Sequence, residues 1–494
     1  MQEEYDFIVI GGGVVGCIIA RSISRYEGRV LLIDKEADLC MGTTAANTAI
    51  VHAGYDPLPN TLKARMNVKG NAMWDQLAGE LDFAFERRGD FVVAVGEDEL
   101  PALDVLLTQA KKNGVPGCLI LSGPEVRRRE KNITPETSGA LWASTGGICD
   151  PFAVTIAAAE NAVMNGAVVK LNTEFQDFIM EGNRIIGIKT NRGEFLSRWV
   201  INAAGLFSDV VMHKAGVRPE FKIKPRKGEY FVFDRADVQI DNVLFPVPSD
   251  KGKGVLVTTT VHGNTILGPN AEIIDDKEDT STTIAGMDEI WAGARKLIPS
   301  LDRKHVIATF AGLRPMGNAP CKVPGVDYNA DYIIEIPDEV QGFVNLGGIE
   351  SPGLASSPAI AQEVIDLLKD AGEELREKKD WDPIRPSRPR FRDMSQKDRK
   401  LLVEMDPSYG RIICRCEDVT EGEIVAEIHA PVPATTYDAI KRRTWLGTGR
   451  CQGGFDSPRV VEILARELRV SPLRITKLGE GSEFLFRPTK NVEG

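Results

Sequence analysis

Two stretches of this chain place residue types at spacings that could do chemistry. Near the start, YDFIVIGGGVVG sets Gly11, Gly13 and Gly16 at G-x-G-x-x-G spacing directly after an apolar β-branched run. The first glycine permits a tight turn, the second lets a pyrophosphate approach the backbone, and the third lets the following helix pack on the strand. That helix then presents its positive dipole end to the phosphates. A second run, RVLLID, ends at Asp34, 18 positions after Gly16 and just before Lys35. A carboxylate there would take ribose hydroxyls, so the pattern reads as a dinucleotide site. Near the other end, Cys414 and Cys416 in IICRCEDV and Cys451 in GRCQGGFDSPRV look like three quarters of a metal site. Where a fourth thiol would be expected stands Asp456.

The elements that must position these residues follow from the apolar pattern. Short β-branched runs (FIVIG, VLLID, FVVAV, WVINAAG, YFVFD, VLVTTT) alternate with helical stretches such as SPAIAQEVIDLLKDAG, which predicts α/β architecture with a parallel sheet and some antiparallel strands. At 494 residues, 43% hydrophobic and 27% charged, the chain can form two or three domains. Its net charge of −11 argues against a general nucleic-acid binder. The start predicts no secretory signal, and no apolar run is long enough for a transmembrane segment. Eight cysteines over this length form no disulfide framework, which points to the cytoplasm. With no C-x-x-C anywhere, Cys17, Cys40, Cys118, Cys149 and Cys321 read as small core residues. Prolines between arginines in DPIRPSRPRFR predict a linker, and AGEELREKKD reads as a solvated helix end.

The stretch CMGTTAANTAIVHAGY resembles the flavin-contacting loop of the D-amino-acid oxidase superfamily, with Thr43, Thr44 and Asn47 among its small and hydroxyl residues. VINAAGLFSD, with Ala204 and Gly205, is similar to the turn that passes the FAD a second time in that superfamily. GFVNLGGIESPGLASSPAIA is similar to its late flavin-contacting loop and helix, with Gly348, Ser351, Gly353 and Leu354 in matching places. The resemblance spans roughly the first 370 residues and implies FAD. NVKGNAMWDQL, PETSGALWASTGGICDPF, KPRKGEYFVFD, TVHGNTILGPNAE and FAGLRPMGN narrow it to the glycerol-3-phosphate dehydrogenase/oxidase and L-2-hydroxyglutarate oxidase group.

Such enzymes pass a hydride from a secondary alcohol to flavin N5, which calls for a base at the hydroxyl and fixed cations for the substrate's anionic group. His52, one of five histidines and on the flavin-contacting loop, is the expected base. An unperturbed imidazole titrates near neutrality, which suits proton abstraction. A packed histidine that merely shapes the loop is the competing reading. His262 in TVHGN reads as a turn residue. Arg314, in AGLRPMG, offers a bidentate fork to carboxylate or phosphate, and the family pattern places an arginine here. A structural ion pair is its alternative. Lys253 in KGKGVLV, or Arg226 and Lys227 in PRKGEY, could add charge or be solvated.

The cysteine pattern resembles the bacterioferritin-associated-ferredoxin-like [2Fe–2S] domain, which implies Cys414, Cys416 and Cys451 as ligands and places Asp456 on the fourth-cysteine position. Thr420 and Glu423 form a capping box opening EGEIVAEIH, and TTYDAIKRRTW reads as a second helix. Asp456 as an iron ligand, a cluster-free docking surface, and a labile site or other metal all stay open.

The expected fold is thus a Rossmann-like FAD-binding domain over 1–80, 140–215 and 335–375, interleaved with a mixed-sheet substrate domain over 81–139 and 216–334. A linker over 376–405 leads to a small helical, ferredoxin-like C-terminal domain and tail over 406–494. The expected function is FAD-dependent oxidation of a small anionic secondary alcohol, with sn-glycerol 3-phosphate first. L-2-hydroxyglutarate, an amine or amino acid, or a non-catalytic electron-transfer subunit are the alternatives. Electrons would leave to a second redox protein or a quinone-linked acceptor, in a homo- or hetero-oligomer, cytoplasmic or peripheral to the membrane through its partner.

Overall fold

The computed structural model describes residues 3–236, 238–248, 254–318 and 331–488. The opening run forms the strand Glu3–Ile10, whose last four residues are all buried. It lies parallel between Val30–Ile33 on one side and Gly193–Asn202 on the other, with Ile8 opposite Leu31 and Val200. Buried on both faces, such strands read as continuous apolar runs rather than alternating ones. The sheet continues to Val168–Lys170 at one edge and, antiparallel, to Arg184–Thr190 and Phe175–Glu181 at the other. Phe343–Gly347 adds a further parallel strand against Val200–Asn202. Helices Val14–Ser24, Pro151–Met164 and Gly353–Asp370 pack together on one face and close a core around Ile19, Leu32, Trp74, Val344 and Ile360.

A second sheet, mostly antiparallel, holds the strands Asp90–Val95, Cys118–Ser122, Thr137–Ala143, Ile223–Phe233, Val243–Pro246, Leu256–Thr259 and Thr265–Gly268. Its longest pairing joins Ile223–Phe233 to Val306–Gly317, with Arg226 directly opposite Arg314.

The tail forms its own small core around Ile424, Ile440, Leu446, Val460 and Leu464. Three helices, Glu421–Ile428, Tyr437–Thr444 and Ser457–Leu468, surround it. The Thr420–Glu423 capping box is present in both directions. This unit sits firmly on the first sheet's layer: Asp38 is buried between Arg442 and Arg443, with N–O distances of 2.8–3.0 Å.

Residues 376–405 are more than a spacer. Gln396–Met405 is helical, and Arg385 and Arg388 both reach the buried carboxylate of Glu160, while Arg388 also grips Glu427. The prolines keep the strap extended, so its arginines face two layers at once. The acidic run after Asp370 is largely exposed, as expected of a solvated helix end, but Glu373 turns inward. The helix stops at Asp370, and Glu373 accepts the Trp199 indole N–H at 2.9 Å and pairs with Arg198. Cys17, Cys40 and Cys149 are buried and Cys118 is half-buried, all unpaired, in keeping with packing roles. Cys321 lies outside the described residues.

Candidate active site

A cavity of about 1440 Å³ runs between the two sheets and reaches the tail. At one end lies the glycine turn. Gly11 adopts φ +115°, and a Cβ there would come within 2.4 Å of the Ala203 carbonyl oxygen. Gly16 does not line the cavity. It lets the helix pack, since a Cβ would lie 1.9 Å from the Gly11 carbonyl oxygen. Gly13 does line it, as do Gly42 and Gly205, where a side chain would project into open space. The Thr44 hydroxyl accepts the Val14 N–H at 3.1 Å, at the helix N-terminus.

Asp34 stands at the end of its strand as expected, and its carboxylate is already engaged. One oxygen accepts the Gly12 N–H at 2.6 Å and the other the Glu36 N–H at 2.9 Å. Burial raises its carboxyl, and these two N–H groups oppose the rise. Each oxygen still has a lone pair for a hydroxyl. Lys35 lines the cavity with its ammonium held by Glu36 and Glu278 and laid over Phe207. Ala204, Ser351, Gly353 and Leu354 line it too, whereas Gly348 does not; it turns the chain at φ +65° behind the wall.

His52 and Arg314 line the same cavity. The His52 carbonyl is clamped by the side-chain amides of Asn67 and Asn71 at 2.7 and 3.0 Å, and its ring centroid lies 5.8 Å from Phe245. The loop carrying His52 is stitched to the Arg314 strand by the Thr43 hydroxyl, which donates to the Leu313 carbonyl at 2.8 Å.

Arg314 is held from behind. Its Nε donates to the Arg226 carbonyl, and Nη2 to the carbonyls of Lys227 and Asn270. Among the described residues it pairs with no carboxylate, and Nη1 has no hydrogen-bond partner. Burial lowers its pKa, which starts so high that the guanidinium stays charged. Three neutral acceptors and a pair of unspent donors make an anion site rather than a structural ion pair.

The other cations divide. Lys227 is buried on Asp279 at 2.9 Å, while Arg226 lines the cavity. Lys253 lies outside the described residues. His262 is in a turn, as its sequence predicts, but it is not exposed. Its Nε2 lies 3.0 Å from Asp150 and its ring packs 4.0 Å from Trp445, whose indole N–H donates to the same carboxylate. Sequence reasoning missed this junction and the buried Lys63–Glu350 pair at 2.7 Å in the cavity wall. It also missed Tyr230 stacked on Phe310. These partners lie 80 to 295 residues apart, so no spacing rule links them.

The tail closes one end of the cavity with Lys441, Arg442, Trp445 and Thr448. Beyond Thr448 lie the cysteines. The Gly447 N–H donates to the Cys414 sulfur at 3.4 Å. Burial pushes the Cys414 thiol up to about 12, with the adjacent Asp456 carboxylate adding to the rise and the Gly447 N–H opposing it. Cys416 and Cys451 lie against each other. Among the described residues no three such side chains converge on one point, as a single metal ion would need.

Residues 6–367, which hold the strand, glycine turn and helix and most of the cavity's walls, match the model of the FAD-dependent oxidoreductase (DAO) family. The chain belongs to this family. In this FAD-dependent oxidoreductase, residues 412–466 further match the BFD-like [2Fe-2S] binding domain. The glycine cradle, the Asp34 carboxylate and the open space at Gly42 and Gly205 fit an FAD.

Over 99% of both chains, the protein is 45% identical to a glycerol 3-phosphate dehydrogenase of Caloramator mitchellensis. Over 77% of this chain and 98% of the relative, it is 30% identical to a glycerol 3-phosphate oxidase of Mycoplasma genitalium. The structure of the dithionite-reduced L-alpha-glycerophosphate oxidase from Mycoplasma pneumoniae with FAD bound superposes with a TM-score of 0.72. It covers 78% of this chain and 100% of that one, at 29% identity. No helix among the described residues is long and apolar enough to cross a membrane.

Proposed function

We propose that this oxidoreductase oxidises the secondary alcohol of sn-glycerol 3-phosphate and delivers the electrons through its tail to a separate redox protein or a quinone-linked acceptor. The observation that carries this reading is Arg314, charged and half-buried, with Nη1 unspent in the cavity that also holds His52. The likeness over the whole length to a glycerol 3-phosphate dehydrogenase favours phosphate over carboxylate as the anion.

The chemistry FAD supplies when bound is acceptance of a hydride at N5. The chain's own residues do the rest. Gly11, Gly13 and the start of the helix Val14–Ser24 receive the pyrophosphate, and Asp34 takes ribose hydroxyls. Thr43, Thr44, Asn47, Ala204, Gly205, Ser351, Gly353 and Leu354 line the path of the remainder, with Gly16 and Gly348 shaping it from behind. Arg314 fixes the phosphate by two N–H donors, with Arg226 beside it on the paired strand. His52 takes the hydroxyl proton as the carbinol carbon loses its hydride. Phe245, Tyr230 and Phe310 keep the wall apolar, so the charge on Arg314 acts in a poorly screened space. Thr448 lines the cavity three residues before Cys451, which puts the cysteine loop next to the flavin compartment as an exit for electrons. The protein works in the cytoplasm, reaching a membrane only through its acceptor.

Anaerobic mixing with sn-glycerol 3-phosphate, L-2-hydroxyglutarate, glycine and proline tests this reading by the loss of flavin absorbance. Bleaching by glycerol 3-phosphate alone is expected. Bleaching by L-2-hydroxyglutarate alone would transfer the anion site to a carboxylate, and by glycine or proline alone would mean amine oxidation. No bleaching by any of them would make the chain a non-catalytic electron-transfer subunit.

A further inference from the structure

Asp456 is 1% exposed, and Tyr437 donates its hydroxyl to Oδ1 at 2.6 Å. The other oxygen, Oδ2, is buried with no hydrogen-bond partner. An orphaned buried carboxylate oxygen is costly, so a fold keeps one where something else satisfies it. The plainest structural role is not being used. Asp456 occupies the N-cap position of the helix Ser457–Leu468, where an aspartate normally accepts from the first turn's amides, yet it makes no side-chain cap bond. Its side chain lies instead against the Cys414 thiol.

The loop is built around the tyrosine hydroxyl. A Cβ at Gly447 would lie 2.6 Å from it and a Cβ at Gly453 2.5 Å, and both glycines have positive φ. The same loop supplies Cys451, and the Gly447 N–H meets Cys414. Thus Tyr437 holds one oxygen of Asp456 while the second stays free at the thiols.

We propose that Asp456 is the fourth ligand of a two-iron cluster held by Cys414, Cys416 and Cys451, that it binds one iron through Oδ2 alone, and that Tyr437 is the positioning residue that keeps it monodentate. This rests on the reading above that electrons leave through the tail, whose residues 412–466 match a [2Fe-2S] binding domain. The four side chains fall into two adjacent pairs, Cys414 with Asp456 and Cys416 with Cys451. That arrangement suits two metal centres bridged by sulfide better than one ion, for which no three side chains converge. The three thiols lose their protons on ligation, and the carboxylate ligates as its anion. A hydrogen bond to the non-ligating oxygen draws charge away from the one on iron, so removing it makes the carboxylate a stronger donor and favours the ferric state.

Full-length protein carrying FAD, reconstituted anaerobically with iron and sulfide, is the sample. Iron and sulfide content, absorbance, and low-temperature EPR after dithionite are read on wild type, D456C, D456A and Y437F, with flavin content and near-UV circular dichroism reporting the fold. Two irons per chain are expected in wild type and D456C with different EPR g-values, and a loss of most iron in D456A. Y437F should keep its iron while its midpoint potential shifts negative and its g-values change. Iron in D456C but not in wild type would overturn Asp456 as a ligand while leaving the cluster frame intact. Iron in neither would overturn the cluster reading itself, and bleaching by substrate would still report on the catalytic reading separately. D456A with wild-type iron and spectrum would remove Asp456 from the site. Y437F identical to wild type in potential and g-values would remove Tyr437 from its role.

Discussion

Replacing Arg314 by lysine keeps a positive charge in the cavity and removes the fork. In the structure the Nε and Nη2 donors are committed to three carbonyl oxygens, of Arg226, Lys227 and Asn270, at 3.0–3.4 Å, which leaves the two N–H groups of Nη1 for an anion. A lysine ammonium has three donors on one atom, so it cannot satisfy those carbonyls and reach the substrate together. Each charge-assisted hydrogen bond is worth about 1.5–3 kcal/mol. Losing roughly one of two gives about 1.5–3 kcal/mol, or roughly 10- to 150-fold in kcat/KM. Arg314→Met, which loses both, should cost about 3–6 kcal/mol. The anion is remote from the reacting carbon, so its contacts are much the same before and during hydride transfer. The loss should therefore appear in KM, with kcat changed far less. Anaerobic stopped-flow reduction of the flavin against glycerol 3-phosphate concentration separates the two, with flavin content and thermal midpoint as controls for folding. A KM within about threefold of wild type in a folded, flavin-replete R314K would refute the assignment. Arg314 would then be a strut for the paired strands.

His52→Gln should slow the limiting rate of flavin reduction by about 10²- to 10⁴-fold with little change in apparent substrate affinity; a rate near wild type in the same stopped-flow assay would make His52 a packing residue. Gly16→Ala should empty the protein of flavin, because the new methyl would collide with the Gly11 carbonyl at 1.9 Å, and absorbance after gel filtration reads this directly. Asp38→Asn should loosen the tail at a cost of about 3–5 kcal/mol, since two buried guanidiniums lose their counter-charge; limited proteolysis of the strap and thermal unfolding report it. The same group sets an acid limit. Burial would raise the Asp38 carboxyl, but Arg443 and then Arg442 outweigh it and hold it below the ordinary carboxylate value. Its contribution is therefore present above the unfolded value near ~3.9 and is lost as the pH falls through the depressed folded value. Docking of the tail should fail in that acid range in wild type, and D38N should show no such step.

Local patterns in this chain were legible because their physics is local. The strand, glycine turn and helix at Glu3–Ser24 need only neighbouring residues to form, so YDFIVIGGGVVG announces both the elements and the phosphate cradle. The Thr420–Glu423 capping box closes within three residues. What a side chain does when its partners are distant is another matter. The cysteine-sized gap at Asp456 could be read from spacing, but its orphaned oxygen and the tyrosine holding the other one exist only once Tyr437 is packed beside it.

The sequence by itself determined that a dinucleotide-binding α/β layer comes first, that a small thiol-bearing unit comes last, and that His52 and Arg314 are the groups to watch. Only the tertiary structure decided that Arg314 is held by backbone carbonyls rather than by a carboxylate, and that His262 is spent on Asp150 and Trp445. It likewise placed the tail against the flavin compartment through Asp38. The reason is that ionisable side chains take their character from what surrounds them in space. For these residues the surroundings come from strands, turns and helices far apart along the chain, whose pairing register and packing no short window of residues contains.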